Sequence, residues 1–207
     1  VPATENTYRK DTSFKGVKPT GDDILPKGIT DETVDIVKYG GFYIGRYEAG
    51  VPDGDTIPSN KTGIPVSKKG AAVWTNIDYT NSKASAENMI SNEYVQTGLL
   101  TGKAWDTVCH WIKSDDELKD SRTYGNYYEN SGTKRTAGFN EKWKVKNIYD
   151  LAGNVWEWTS EADSSYFIYR GGSYSADGSF YPVSYRNFND ASNAGGNVGF
   201  RSRLYIK

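Results

Sequence analysis

Few residues of this 207-residue chain are of the types that carry out covalent chemistry. There is one cysteine, Cys109, and one histidine, His110. A reactive thiolate needs an electropositive, partly exposed setting. A lone histidine makes a Ser-His-Asp triad only with a serine partner, which no spacing indicates. Nor does any spacing point to paired carboxylates for acid–base catalysis. These residues therefore favour binding over catalysis.

A second candidate for chemistry is the segment Tyr149-Asp-Leu-Ala-Gly-Asn-Val-Trp-Glu-Trp158. Gly153 and Asn154 predict a turn that accommodates positive φ, and the strand after it sends alternate side chains to opposite faces. A carboxylate beside such a turn, with backbone carbonyls nearby, suits a hard cation such as calcium. In the alternative interpretation, Glu157 hydrogen-bonds backbone amides or pairs with an arginine such as Arg201.

Two arginines stand beside glycines, in Arg170-Gly-Gly-Ser173 and in Gly199-Phe-Arg201. They either bind an anionic ligand or brace loops through backbone carbonyls and carboxylates. A guanidinium offers five donors in a planar fork, which suits it to hold several carbonyls at once. We favour the bracing role.

Two helices are predicted to position these residues, at about 83–94 and 102–113. The first follows a polar cluster at 80–82, and the second has Thr101 as its N-cap. His110 lies off the apolar stripe of the second helix and is expected to face solvent. The stripe places four side chains at i, i+3, i+4 and i+7 on one buried face: Trp105, Val108, Cys109 and Ile112.

The remaining elements are predicted to be short strands and long loops. Val34-Asp-Ile-Val37, a Gly-Gly pair and Phe42-Tyr-Ile-Gly-Arg-Tyr47 predict a strand or a pair of strands with a glycine hinge. Residues 50–70 and 114–140 have the Pro, Gly and Asn content of loops. Residues 147–207 predict short strands ending in Leu204-Tyr-Ile206.

Composition bounds the functions open to the chain. A net charge of −1 and a pI of about 5.9 provide no basic field for nucleic acid. No apolar run approaches the ~20 residues that span a bilayer, so we expect no membrane insertion. The start, Val1-Pro-Ala-Thr, has no signal-peptide pattern and no initiator Met, so a fragment or processed product is expected. Residues 1–32 are predicted to be an extended segment, and residues 33–207 one domain.

The 149–158 segment, Arg170-Gly-Gly and Gly199-Phe-Arg201 together resemble the formylglycine-generating-enzyme (sulfatase-modifying factor) family. Gly41-Phe-Tyr-Ile-Gly-Arg-Tyr-Glu-Ala49 and Trp74-Thr-Asn-Ile-Asp78 are similar to further pieces of it, and the resemblance covers about residues 39–207. It implies an α+β fold of the C-type lectin type, with a twisted, mainly antiparallel sheet, two helices and long loops.

The resemblance also implies a structural calcium ion, held by the side chains of Asp150 and Glu157 and the backbone carbonyls of Gly153 and Val155. Enzymes of the family resemble one another in a pair of cysteines that bind copper, and related sulfoxide synthases use several histidines for iron. With one residue of each type, this chain departs from both patterns. We expect no catalytic residues and no required cofactor.

Residues 173–197, here called the 173–197 segment, have an unusual composition. Ser, Asn, Tyr, Gly and Ala dominate, as in antibody paratopes, where Tyr supplies rigid contact area and small polar residues supply adaptable hydrogen bonds. Lys, Glu, Gln, Trp and Met are missing, although they supply 35 of the 207 residues. Codons of the form A-A-pyrimidine, randomised at the adenines, encode none of these five types.

This composition resembles the variable region of proteins that diversity-generating retroelements diversify. The resemblance implies a hypervariable receptor- or ligand-binding surface, displayed on a phage tail or a cell surface, with a protein or surface ligand as partner. Gly178, Pro182 and Arg186 are predicted to hold the loop. Eleven residues are the predicted contact positions: Ser173, Ser175, Ala176, Asp177, Phe180, Tyr181, Ser184, Tyr185, Phe188, Asn189 and Asp190.

Three functions remain open from the sequence. A diversified, non-catalytic binder is favoured, because exposed aromatic residues in a polar loop usually mark binding. The first alternative is an enzyme of the formylglycine-generating or sulfoxide-synthase type. The second is a structural virion or surface protein whose loop mediates contacts between copies. An ordinary surface loop whose Tyr and Phe side chains pack inward is the simplest alternative for the segment itself.

Overall fold

The computed structural model describes residues 1–2, 11–18, 21–52, 59–163 and 165–207. Parts of the predicted N-terminal segment, at 3–10 and 19–20, lie outside these ranges, as does the 53–58 part of the predicted 50–70 loop. Within the described ranges, no helix has the length and apolar character needed to cross a membrane.

Short strands and three α-helices make up the regular structure of the described residues. The helices are α1 (Val34–Tyr39), α2 (Tyr79–Asn88) and α3 (Gly102–Ile112). Single 3₁₀ turns occur at Glu117–Lys119 and Glu141–Trp143. The strands are β1 (Asp22–Asp23), β2 (Tyr43–Ile44), β3 (Val95–Leu99), β4 (Lys144–Val145), β5 (Ile148–Tyr149), β6 (Trp156–Asp163), β7 (Tyr166–Arg170), β8 (Asn187–Asn189), β9 (Val198–Phe200) and β10 (Ser202–Ile206).

The strands form three sheets of mainly antiparallel pairing. The largest has the order β1-β6-β7-β8, and β9 pairs with β6 in parallel. A second sheet has the order β2-β10-β3, and β4 pairs with β5. The 173–197 segment leaves β7, forms β8 at the end of the largest sheet, and returns to β9. The sheet therefore holds both ends of the segment.

Helix α3 confirms its prediction almost to the residue. Thr101 is extended, and its hydroxyl accepts a hydrogen bond from the Ala104 N–H at 3.0 Å, as an N-cap does. The predicted apolar stripe is buried in one cluster with Ile36, Phe42 and Val183. This helix forms the floor beneath part of the 173–197 segment.

Helix α2 begins and ends earlier than predicted. The Asp78 carboxylate accepts from the Asn81 N–H at 2.8 Å, so the cap precedes the polar cluster instead of lying within it. The helix ends at Asn88, and the Asn92 side chain then accepts from the N–H groups of Tyr94 and Val95 in the turn before β3. The Asp78 side chain is thus the local acceptor that sets the first boundary.

The prediction of a strand at Val34–Val37 is wrong, because this stretch begins helix α1. Gly40 ends the helix with φ of 71° and donates its N–H to the Ile36 carbonyl. The valines that favoured a strand are exposed, Val37 by 70%. The buried side chains are Ile36 and Asp35, and Asp35 bonds Arg203 at 2.9 Å, so tertiary contacts outweigh local strand preference.

Candidate functional site

The 173–197 segment begins in turns that its own side chains stabilise. One oxygen of the Asp177 carboxylate accepts from the Ser179 N–H at 2.8 Å, the Ser179 hydroxyl at 2.6 Å and the Phe180 N–H at 3.1 Å. These bonds hold the pKa of Asp177 below its ordinary value. Gly178 is buried where an added Cβ would lie 2.8 Å from the Tyr127 ring, so a close approach of backbone to ring requires glycine here.

The middle of the segment is held by hydrogen bonds to its backbone from side chains outside it. The Trp105 indole N–H donates to the Val183 carbonyl at 2.9 Å, and the Ser121 hydroxyl accepts from the Val183 N–H at 2.9 Å. Both contacts reach main-chain atoms, so they do not depend on which side chain the segment carries.

Arg170 braces the next two residues, as predicted from the Arg-Gly-Gly motif. Its guanidinium donates to the Ser184 carbonyl at 2.8 Å and to the Tyr185 carbonyl at 3.0 Å. The same side chain pairs with Asp106 at 2.8 Å, fully buried. A planar donor fork satisfies this set of acceptors.

Arg186 fixes the segment from within. It is fully buried, pairs with Asp106 and lies 3.4 Å from Glu161. Its side chain also donates to the Asp11 carbonyl at 2.9 Å, and its backbone N–H donates to the Lys15 carbonyl at 3.0 Å. Residues 11–18 thus cross the segment at this point. The contacts of Arg186 agree with the prediction that it holds the loop.

Aromatic side chains of the segment meet rings from the sheet beneath them. Tyr181 and Tyr185 lie 4.9 Å apart between ring centroids, and each contacts Trp156 edge-on, at 5.8 and 6.4 Å. Trp156 in turn contacts Tyr169 at 5.2 Å, and Phe180 lies 5.7 Å from Tyr181. We call Trp156, Tyr169, Phe180, Tyr181 and Tyr185 the ring cluster.

The ring cluster is layered from the core to the surface. Trp156 and Tyr169 are buried, Tyr181 and Tyr185 are half-buried, and Phe180 is 67% exposed. Edge-to-face geometry of this kind is favourable beyond area burial alone. The result is a rigid apolar base that ends in accessible rings.

Phe188 lies apart from the ring cluster, on β8. It faces Tyr166, with ring centroids 4.9 Å apart, and both rings are partly exposed. The side chain of its neighbour Asn189 lies on the opposite face of the sheet, where it hydrogen-bonds Tyr169. The predicted contact positions therefore divide between two faces of the sheet end.

Two of the predicted contact positions are buried. Ser173 is 1% exposed, and its hydroxyl lies 3.2 Å from that of Ser175. Ser184 is 3% exposed and donates to the Leu118 carbonyl at 2.7 Å. The other nine predicted positions are exposed or half-buried: Ser175, Ala176, Asp177, Phe180, Tyr181, Tyr185, Phe188, Asn189 and Asp190.

The predicted calcium ligands lie in a buried charged group instead of an open loop. Gly153 and Asn154 have positive φ, 77° and 57°, which confirms the predicted turn. Both oxygens of Glu157 accept from Arg201, at 2.7 to 3.1 Å. Arg201 also donates to the carbonyls of Gly45 and Tyr149. This is the arginine pairing that the sequence offered as the alternative.

These residues do not fit a calcium ion as they stand. An ion that used Glu157 would have to displace the Arg201 guanidinium. Asp150 has one carboxylate oxygen on the Gly138 N–H at 2.7 Å, and the other is buried without a hydrogen bond. Across the described ranges, no three His, Cys, Asp or Glu side chains lie where they would hold a metal ion together.

Glu48 completes this charged group, although no motif predicted a role for it. It is fully buried and accepts from the Asn154 amide at 2.5 Å and the Val155 N–H at 3.2 Å. Burial raises its pKa well above the ordinary value, and Asp150 and Glu157 add to the rise. The one feature of the sequence that could have pointed to Glu48 is its place near the end of the Gly41–Ala49 stretch.

The two residues suited to covalent chemistry are both engaged in packing. Cys109 is fully buried, and burial raises the pKa of its thiol to about 12. The expectation that His110 faces solvent is wrong, because its side chain is 9% exposed. It lies 3.2 Å from Asp115 and 2.7 Å from Asp11 and stacks on Phe14, and the last two residues are distant in sequence.

The fold and the two arginine-braced motifs define the class of protein. It is an α+β domain of the C-type lectin fold, in the formylglycine-generating-enzyme variant, as the sequence predicted. Residues 101–204 match the sulfatase-modifying factor enzyme 1-like domain, and the chain belongs to that family. A comparison with curated protein sequences found no match.

Three solved structures share this fold. Treponema denticola variable protein 1 superposes with a TM-score of 0.54 and 16% identity, over 72% of this chain and 78% of that one. CarF gives 0.51 and 16% identity, over 90% and 96%. PvdO from Pseudomonas aeruginosa gives 0.52 and 17% identity, over 79% and 80%.

Proposed function

We propose that the chain is a non-catalytic ligand-binding protein whose contact surface is the 173–197 segment. The observation that carries the proposal is the way this segment is held. Trp105, Ser121 and Arg170 bind its main-chain atoms, while Phe180, Tyr181 and Tyr185 extend to the surface. Because these bonds reach main-chain atoms, the side chains of Phe180, Tyr181 and Tyr185 can differ without loss of the backbone conformation.

The ring cluster supplies the contact area that such a surface needs. Aromatic rings anchored on a rigid base lose little conformational entropy on binding, and Tyr and Trp are enriched among the residues that dominate interfaces. Trp156 and Tyr169 fix the base, and the half-buried Tyr181 and Tyr185 present their outer edges. This arrangement supports the proposal that the chain binds a protein or surface ligand.

We further propose that a retroelement diversifies this surface and that the protein is displayed on a phage tail or a cell surface. Support comes from the missing Lys, Glu, Gln, Trp and Met in the 173–197 segment. The shared fold with a protein named variable protein 1 is a second support. A fold alone does not fix a function, so the residue pattern carries more weight.

An enzyme remains the second candidate, favoured by the family match to a sulfatase-modifying factor enzyme domain. The thiol chemistry of that candidate would fall to Cys109, which is buried with its pKa raised. A Cys-containing peptide incubated with the protein, with and without copper or iron, tests the candidate. Mass loss or oxidation of the peptide would support the enzyme, and we expect an unchanged peptide.

A peptide-display selection on the immobilised chain tests the binding proposal. Bound peptides are measured against the native chain and a Tyr181→Ser/Tyr185→Ser variant, with Tyr43→Ser/Tyr94→Ser as the control. The control tyrosines are exposed and lie outside the segment. We expect loss of binding of tenfold or more in the first variant, about 1.4 kcal/mol, and none in the control. Equal binding by all three proteins would contradict the proposal.

A further inference from the structure

The exposed charges of the 173–197 segment are all negative. Asp177 and Asp190 are exposed, and the one cationic residue in the segment is Arg186. Arg186 is fully buried and paired with Asp106 and Glu161. The segment therefore offers carboxylates to a partner and no cation of its own.

Charged neighbours from other elements leave this balance negative near Asp177. The Glu129 carboxyl lies within hydrogen-bonding reach of the Asp177 carboxyl. Arg122 is adjacent to Gly178, but its guanidinium is bound to the Asp120 carboxylate. The carboxylates of Asp120, Glu129 and Asp177 all act on the one Arg122 guanidinium, so this part of the surface has an excess of negative charge that would attract a cation from a partner.

Cations also approach the segment at the cavity that Pro182 and Ser184 line. Lys15 and Lys119 line this cavity together with Asp115, and Lys119 is bound to Asp116 at 2.9 Å. The positive charge there is thus matched by nearby carboxylates. It does not reverse the charge around Asp177.

The exposed rings favour the same kind of partner as the carboxylates. The face of an aromatic ring is the negative end of its quadrupole and attracts a guanidinium or an ammonium group. Phe180 follows closely after Asp177 in one turn, with its N–H bonded to that carboxylate. A flat guanidinium can stack on a ring while its N–H groups reach a carboxylate, which a rounded ammonium group does less well.

We propose that the partner docks an arginine-bearing segment of a protein on this surface, with guanidinium groups on the exposed rings and beside Asp177 and Asp190. This inference rests on the proposed binding function and adds the chemistry of the ligand. The positive charges of the partner's arginines would pair with the negative charges of the segment's carboxylates. Lysine is the weaker substitute in the same places.

The test uses the peptides selected on the native full chain. Their arginine content is compared with that of the unselected library, and their affinities are measured for Asp177→Asn/Asp190→Asn. Asparagine at 177 retains the oxygen that accepts from Ser179 and Phe180, so the turn is kept. Asp116→Asn, at an aspartate that is 94% exposed outside the segment, is the control.

We expect selected peptides enriched in arginine, with affinity lowered about three- to tenfold by the double variant and unchanged by the control. Affinity should also fall as salt rises, because exposed charges are screened. Selected peptides without excess arginine, or with equal affinity for the double variant, would overturn the inference. Enrichment of no peptide would overturn it too, because the library contains arginine-bearing sequences.

The outcome separates failure of this inference from failure of the binding proposal. Peptides that lose binding in Tyr181→Ser/Tyr185→Ser but are indifferent to Asp177→Asn/Asp190→Asn leave the surface in place with a different ligand chemistry. Peptides that are indifferent to both double variants contradict the surface itself.

Discussion

Four arginines, each at most 1% exposed, join helices, strands and loops that lie far apart in the sequence. Their partners are Asp106, Glu157, Glu161 and the pair Glu32 and Asp35, together with backbone carbonyls. A buried guanidinium is costly unless its donors are satisfied, so each one specifies the positions of several acceptors. The arginines are Arg170, Arg186, Arg201 and Arg203.

The pair of Glu157 and Arg201 is expected to be critical for stability. Arg201→Met leaves a carboxylate buried without its partner, which costs about 3–5 kcal/mol. Glu157→Gln/Arg201→Met removes the stranded charge and should recover part of that loss. Urea unfolding of the two variants measures both effects. A single variant within 1 kcal/mol of the native chain would contradict the prediction.

Cys109 is expected to be inert in the folded protein. Burial raises its thiol pKa to about 12, so little thiolate forms at pH 8. A chromogenic disulfide reagent should react slowly with the native protein and at once in urea. Fast reaction of the native thiol would show that the residue is accessible, and it would strengthen the enzyme candidate.

Asp23 is expected to make stability depend on pH. Burial and the nearby Glu32 raise its pKa from the ordinary 3.8 to about 6, although Gly102 donates to it at 2.6 Å. The native state therefore holds a proton that the unfolded chain releases. Its stabilising contribution is complete below about pH 4 and is lost as pH rises through 6.

Asp23→Asn is the variant that tests this dependence. The free energy of unfolding of the native chain, relative to the variant, should fall between pH 4 and 6. Denaturant titrations at several pH values within that window give the slope for each protein. Parallel slopes would contradict the raised pKa.

At the scale of elements, helix α3 links the core to the binding surface through one indole. Trp105→Phe keeps most of the ring packing and removes the bond to the Val183 carbonyl, so we expect a loss of about 1–2 kcal/mol. The selected peptides should also bind more weakly. Trp111→Phe, on the same helix but only partly buried, is the control. Equal effects of the two changes would contradict a specific role for Trp105.

The elements also show what sequence patterns can predict. Thr101 and the apolar stripe of α3 are local signals, and they were sufficient. Val34 and Val37 are residues typical of strands. The neighbouring Asp35, however, is bound by Arg203, which is 168 residues away in the sequence and is therefore invisible to a local pattern. A local pattern predicts an element correctly when the contacts that stabilise the element are local. It fails when those contacts come from residues distant in the sequence.

The same distinction holds for the site. The bracing by Arg170 and Arg201 followed from guanidinium chemistry beside glycines, and the structure confirms it. The burial of Ser173 and Ser184 could not be predicted, because alternating exposure within an irregular loop has no fixed period. Contacts of His110 with Asp11 likewise depend on residues 11–18 lying across the domain.

At the scale of the whole molecule, the function we propose divides the domain into a fixed frame and a changeable surface. The sheet end, α3 and residues 11–18 hold the backbone of the 173–197 segment, and the surface side chains contribute little to that frame. Tyr181→Ser/Tyr185→Ser should therefore lower the free energy of unfolding by less than about 2 kcal/mol. Thermal and urea unfolding measure this, and a larger loss would make these rings packing residues.

The measurement that tests the central claim most directly is deep sequencing of codons 140–207 in a growing population of the source. We expect substitutions traceable to template adenines at exposed or half-buried positions such as Asp177, Phe180, Tyr181 and Tyr185. The holding positions should stay fixed, namely Ser173, Pro182, Val183, Ser184 and Arg186. A uniform gene, or substitutions that fall equally on the holding positions, would contradict a diversified binding surface on a fixed frame.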